Sequence, residues 1–103
     1  MEEEIKIFWT DKAKSDLREI YDFLLLEVEE KKAFEIIQTI YARTNQLYTF
    51  PELGSLEPYL IHLRRPYRIL REGNYKIIYR IDNYRSIYIN RIFDSRQDPK
   101  NLK

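Results

Sequence analysis

The sequence predicts an α+β domain in which a helical hairpin packs on one face of a small antiparallel sheet, in the order β-α-α-β-β-β. Three observations predict it. Apolar residues recur at helical spacing through residues 11–48. The period changes to alternation after a Pro- and Gly-containing stretch at residues 50–58. Two turn signals, near residues 73 and 83, are too short to join anything but antiparallel neighbours.

Ile5-Lys6-Ile7-Phe8-Trp9 alternates and is rich in β-formers, which predicts a short first strand. Thr10 then offers a hydroxyl as N-cap, and Asp11 places a carboxylate where the helix dipole favours it. Ala13, Leu17, Ile20, Tyr21, Leu24 and Val28 form one helical stripe, and Ala33, Ile36, Ile37, Ile40, Thr44 and Leu47 form another. A single rod over residues 11–48 would leave both stripes without a partner, so two helices are expected, joined near Glu29–Lys32. The stretch from Phe50 to Pro58 holds three of the six Gly and Pro residues and reads as the main loop.

The second strand is expected at Tyr67–Arg71, because Pro66 can open or edge a strand but not sit inside a central one. Glu72-Gly73-Asn74 is a turn, the third strand runs Tyr75 to Asp82, Asn83-Tyr84 is the next turn, and the fourth strand runs from about Arg85 to Phe93. Tyr75, Ile77, Tyr79 and Ile81 share the face that can meet the helices. Ile87, Ile89 and Phe93 match it from the fourth strand, but strict alternation would put Arg91 there too. Either a bulge shifts the parity near Asn90, or the strand has left the core by then. The first strand is expected to join the sheet parallel to a neighbour, beside the fourth strand or at the centre, since the helices return the chain across the sheet.

At 103 residues the chain is expected to be one domain, 1–103. Hydrophobic residues make up 44% and charged ones 34%, a folded composition and not a disordered one. The longest apolar run, Phe23-Leu24-Leu25-Leu26, is far short of the ~20 residues needed to cross a bilayer. Met1-Glu2-Glu3-Glu4 has the wrong charge for a secretory signal. The absence of cysteine excludes disulfides and thiolate metal sites. A cytoplasmic protein with no membrane partner, no metal and no cofactor is expected. The net charge of +1 hides an asymmetry: residues 1–58 hold 7 Lys/Arg against 13 Asp/Glu, and residues 59–103 hold 11 against 4. If the second half forms one surface, its positive potential suits nucleic acid or an acidic protein; otherwise the two halves neutralise each other across the fold.

The element order, the Pro51-Glu52-Leu53-Gly54 stretch after the second helix, the strand Tyr75-Lys76-Ile77-Ile78-Tyr79-Arg80 and the ending Ile92-Phe93-Asp94-Ser95-Arg96-Gln97-Asp98-Pro99 resemble the RelE/ParE toxin superfamily over nearly the whole chain. The ending is most similar to ParE-like members, known as plasmid stabilisation proteins. That resemblance implies the toxin of a bacterial type II toxin–antitoxin system, neutralised by a cognate antitoxin encoded by an adjacent gene. ParE-like members act by binding a protein, DNA gyrase in the studied cases. RelE-like members instead cut messenger RNA on the ribosome.

In the nuclease reading Lys76 aligns with a strand-three arginine of RelE-like toxins, Arg96 with their arginine at the end of strand four, and Arg68 or Arg71 with basic residues of strand two. A metal-free ribonuclease must activate the 2′-hydroxyl, stabilise charge on the phosphorane and protonate the leaving oxygen. Arg68, Lys76 and Arg96 are its candidate catalytic residues, with Lys76 serving as base if Arg68 and Arg80 crowd it. The late tyrosine or histidine–tyrosine pair of several nucleases is replaced here by Pro99-Lys100-Asn101-Leu102-Lys103. In the protein-binding reading, Arg68, Arg71, Lys76, Arg80, Tyr88 and Arg96 are the candidate target-binding residues. A third reading is a degenerate relative that binds without toxicity.

Each candidate has a structural alternative. Arg80 and Arg85 suit a solvated sheet face, and Arg96, flanked by Asp94 and Asp98, suits local ion pairing. His62 is a single histidine with no second to complete a ribonuclease pair. Most of the nine tyrosines suit core or rim positions, with Tyr84 in a turn and Tyr88 the best placed to stack on a partner. Asp94 and Asp98 are a weak metal pair without histidine support.

Overall fold

The computed structural model describes residues 4–56, 66–83 and 85–96. His62, Tyr84, Asp98 and the segment Pro99–Lys103 lie outside the described residues. The chain forms β1 (Lys6–Trp9), α1 (Asp11–Leu24), α2 (Glu30–Asn45), a 3-10 turn (Gln46–Tyr48), β2 (Ser55–Leu56), β3 (Tyr67–Glu72), β4 (Tyr75–Asp82) and β5 (Ser86–Asp94). The sheet order is β1-β5-β4-β3-β2. The β2–β3, β3–β4 and β4–β5 ladders are antiparallel, while β1 runs parallel to β5 as expected, so the sheet is mixed.

Thr10 caps α1: its Oγ1 accepts from the Ala13 N–H at 3.1 Å and also lies 3.1 Å from the Ile89 carbonyl, to which it can donate. The cap therefore fixes the start of α1 against β5. The hairpin joint falls at residues 25–29, earlier than the sequence suggests, and Glu29 makes no side-chain capping bond at the start of α2. The β3–β4 connection is the two-residue loop Gly73-Asn74, where Gly73 takes φ 58°, a backbone conformation open to glycine. The two-residue β2 was not expected. It lies inside the stretch read as loop, too short to show a period of its own.

Leu17, Ile20, Leu24, Ile37, Ile40, Leu47, Ile77, Tyr79, Ile87 and Ile89, all on the expected core faces, are buried, while Tyr21, Val28, Ile36 and Ile81 of the same faces are partly buried. They belong to one cluster between the helices and the sheet, joined from β1 by Ile7 and Trp9, whose indole meets Tyr41 of α2 at 5.1 Å. The parity problem on the last strand is resolved by a bulge. Ile78 pairs with Arg91 and Tyr79 with Ile89, which leaves Asn90 as the extra residue. Ile92 therefore takes the core position and Phe93, expected there, turns to the opposite face.

Among the described residues no strand pairs with the outer edge of β5 beyond Trp9, and α1 covers that edge. Asp16 accepts the Ile92 N–H at 3.0 Å and both Nε and Nη2 of Arg91, at 2.7 and 3.2 Å. One buried carboxylate thus satisfies a strand-edge donor and neutralises the arginine that the bulge displaces.

Candidate protein-binding face

The helices cover one face of the sheet. On that side the basic residues are tied down. Arg68, opposite Tyr79 in the β3–β4 ladder, donates from Nη1 to the Gly54 carbonyl at 2.7 Å. The buried Tyr79 hydroxyl accepts from the Gly54 N–H and donates to the Pro51 carbonyl, both at 2.8 Å. Burial pushes the Tyr79 hydroxyl above its ordinary pKa, so it stays a donor. A Cβ on Gly54 would sit 2.7 Å from the Tyr79 ring and 2.9 Å from the Ile69 carbonyl, so the close approach requires glycine. Arg68 and Tyr79 therefore clamp the Pro51–Gly54 stretch over the sheet. That stretch lines an open groove of about 940 Å³ with Phe50, Leu53, Leu56, Arg68 and Ile81.

Arg96 is held in the same manner at the far end of the sheet. Its backbone N–H and Nε donate to Asp94 Oδ1 at 2.9 and 3.1 Å, and Nη2 donates to Oδ2 at 2.9 Å. Burial acts to raise the Asp94 pKa, but the hydrogen bonds and charge of Arg96 outweigh it and the carboxyl is held below its ordinary range. The Arg96 guanidinium is in turn held firmly protonated by Asp94. Burial, helped by the Asp94 charge, raises neighbouring Tyr75.

Among the described residues no helix covers the other face. Its positions follow from the ladders: Lys6 and Phe8 on β1, Tyr88 and Phe93 on β5, Lys76, Ile78, Arg80 and Asp82 on β4, and Tyr67, Ile69 and Arg71 on β3. Phe8, Tyr88, Arg80 and Tyr67 form one row across four strands. The Phe8 and Tyr88 rings stack at 5.2 Å, and the Arg80 guanidinium lies 4.4 Å from the Tyr88 ring. Arg80 also approaches Asp82 at 3.9 Å. Ile69 and Ile78, paired across the next row, are buried yet stand outside the core cluster. Among the described strand residues the register gives this open face five cations, Lys6, Arg71, Lys76, Arg80 and Arg91, the last bound to Asp16, against the single strand carboxylate Asp82.

Of the six target-binding candidates, Arg71, Lys76, Arg80 and Tyr88 share the open face, whereas Arg68 and Arg96 lie on the helix-bearing side at opposite ends of the sheet. The three nuclease candidates do not come together. Arg68 is across the sheet from Lys76 and so does not crowd it. Arg68 pairs with Tyr79, four residues along β4 from Tyr75, the partner of Asp94, which is a separation of roughly 13 Å at the usual strand rise. Phe8 is a face residue that sequence reasoning passed over. Its signal was present: it alternates with Ile7 and Trp9, on the side shared with Lys6.

The family model described as the ParE toxin of the type II toxin–antitoxin system parDE matches residues 7–99. The chain belongs to the ParE toxin family. It is a toxin-family member of a toxin–antitoxin system, with the RelE/ParE fold. A solved structure of the chromosomal ParDE system from P. aeruginosa is similar at 25% identity, covering 87% of this chain and 95% of that one, with a TM-score of 0.73. The RelBE2 toxin–antitoxin complex from Mycobacterium tuberculosis shares the fold at 19% identity, over 89% and 99% of the two chains, with a TM-score of 0.57. No curated protein matches the sequence. Among the described residues no helix is long and apolar enough to cross a membrane.

Proposed function

We propose that this ParE-family chain acts as a toxin by binding a protein target through the open face of its sheet. DNA gyrase is the target that the family likeness suggests, and a cognate antitoxin from an adjacent gene neutralises the toxin. One observation carries the reading. The groups that a metal-free nuclease would need are split between two faces and two ends of the sheet, and Arg96 is already committed to Asp94. Phosphodiester cleavage requires its base and its charge-stabilising groups around one phosphate, whereas a binding surface needs only complementary shape and charge over a wide area. Arg71, Lys76, Arg80 and Tyr88 provide such a surface, on strands held by the buried Ile69 and Ile78.

An antitoxin is supported by the solved relatives, which come from a ParDE system and a RelBE2 toxin–antitoxin complex. The surface suits an acidic amphipathic segment that covers the open face and so competes with the target. Co-expression of the neighbouring gene should relieve growth arrest, and its product should co-purify with this chain. Arrest that persists despite abundant neighbour protein would count against the pairing. For the target, the test is DNA supercoiling by purified gyrase with added chain. Dose-dependent loss of supercoiling, with a DNA-damage response in induced cells, is the expected result; full gyrase activity at saturating chain would remove gyrase from the reading.

A further inference from the structure

The open face ends at β1, an outermost strand, and there it presents a side chain that the charge pattern does not mark. Tyr88 lies between Phe8 of β1 and Arg80 of β4, its immediate neighbours across the sheet. Because the strand order is β1-β5-β4, the stacked Phe8 ring and the Arg80 guanidinium approach Tyr88 from opposite sides. Both faces of the tyrosine ring are taken. At the β1 end of the row the outward side of Phe8 lies open, and Phe8 keeps 42% of its surface exposed.

Folding does not call for a phenylalanine at this place. The β1 residues that pack against the core are Ile7 and Trp9, while Phe8 and Lys6 point the other way. Single exposed apolar residues are ordinary. This one is continuous with a tyrosine, an arginine and the buried Ile69–Ile78 pair, and its neighbour on the strand face is the exposed Lys6. Aromatic and arginine side chains are enriched at protein-binding hot spots. Stacking on Tyr88 also holds the Phe8 ring in place before any partner arrives, so little rotamer freedom remains to be lost on binding.

Resting on the protein-binding reading above, we infer that Phe8 is the anchor of the target contact. Its outward ring face seats against an aromatic or apolar side chain on a protein surface whose surrounding residues are acidic. The acidic character follows from Lys6, Arg71, Lys76 and Arg80 set against Asp82, with Arg91 already neutralised by Asp16. A single-stranded nucleic acid fits less well, since it calls for successive rings with open faces, and Tyr88 has neither face open.

The test measures potency as the amount of soluble chain per cell at half-maximal growth arrest, for full-length variants that melt like the parent. Phe8→Ala should raise that amount by on the order of tenfold or more, as hot-spot truncations do. Phe8→Tyr keeps the ring and should stay within about threefold of the parent by the same measure. Lys6→Glu, which puts a like charge before an acidic surface, should weaken arrest without disturbing the stack. Phe34→Ala removes an exposed phenylalanine from α2 and should change nothing. If Phe8→Ala loses its fold, Phe8→Tyr and Lys6→Glu carry the test between them.

Parent-like potency of folded Phe8→Ala, while Arg80→Ala or Lys76→Ala weakens arrest, would overturn the role of Phe8 and leave the protein-binding reading standing. Full potency in all of these variants would overturn that reading as well. Binding of a labelled single-stranded oligonucleotide that depends on Phe8 and falls steeply with salt would replace the acidic protein by a nucleic acid.

Discussion

The helix-bearing face of the sheet and the open face both carry basic residues, and they treat them differently. Under the helices, Arg68 is bound to a loop carbonyl and Arg96 to a nearly buried carboxylate, while at the β5 edge Arg91 is bound to Asp16. On the open face Arg80 lies over a tyrosine ring, with Asp82 only at 3.9 Å, and Arg71 is exposed. The same residue type closes the structure on one side and stands on the open surface on the other. Among the described residues the basic charge of the second half is therefore not one surface: Arg68, Arg91 and Arg96 are bound locally, and Arg71, Lys76 and Arg80 give the open face its potential.

The contrast predicts that damage to the helix-bearing side appears as lost stability, and damage to the open side as lost toxicity. The largest stability effect is expected at the core. Ile77 is fully buried, and Ile77→Ala should cost about 2–5 kcal/mol in urea unfolding, by transfer and cavity terms. A variant that melts within about a degree of the parent would put Ile77 outside the core. Next is Asp16→Ala, which leaves the Ile92 N–H and the Arg91 guanidinium without their acceptor. Arg91 keeps some contact with water, so the loss should be about 2–4 kcal/mol, short of a fully buried pair. An unchanged midpoint would mean that the edge of β5 needs no such cover.

A smaller, pH-limited effect is expected at Asp94. Its carboxyl titrates lower in the folded chain than its ordinary value of 3.8, so its contribution is complete above that pH and disappears as pH falls through the folded value. Asp94→Asn should lower stability at neutral pH and flatten the acid limb below about pH 4. Parallel acid limbs for the variant and the parent would show that Arg96 does not stabilise the carboxylate.

The smallest stability effect belongs to the open face. Lys76→Ala should change stability by no more than about 0.5 kcal/mol, as surface substitutions usually do, and still reduce toxicity in part. Arg96→Ala should also reduce toxicity in part, but with a measurable loss of stability. A Lys76→Ala chain that unfolds as readily as Asp16→Ala would erase the difference between the faces.

Most of the architecture was legible because its signals are periodic. The two helical stripes, Thr10 as a cap, and the alternation of Tyr75, Ile77 and Tyr79 each identify a face without tertiary knowledge. The failures are local. Asn90 inserts one residue, and from there every side chain on β5 changes face, which exchanges Phe93 for Ile92. Alternation shows the conflict at Arg91 but not its cause, an acceptor 75 residues earlier in Asp16.

The candidate face was legible as charge and not as place. In Tyr67-Arg68-Ile69-Leu70-Arg71 two adjacent apolar residues are buried on opposite faces, so the strand has no clean period and Arg68 cannot be assigned to a side. Phe8 has a clean period and was passed over for a different reason. It alternates with Ile7 and Trp9, but alternation leaves open which side meets the helices, and its register with Tyr88 decides it.

The central claim is that these basic residues form a binding surface and not a catalytic centre, and ribosomes carrying end-labelled messenger RNA test it most directly. Purified chain, at concentrations that stop growth when reached in cells, should leave that messenger at full length. Cleavage at discrete sites, abolished by Lys76→Ala alone or by Arg96→Ala alone, would contradict the claim, because single removals that extinguish activity mark transition-state contacts and not a dispersed interface.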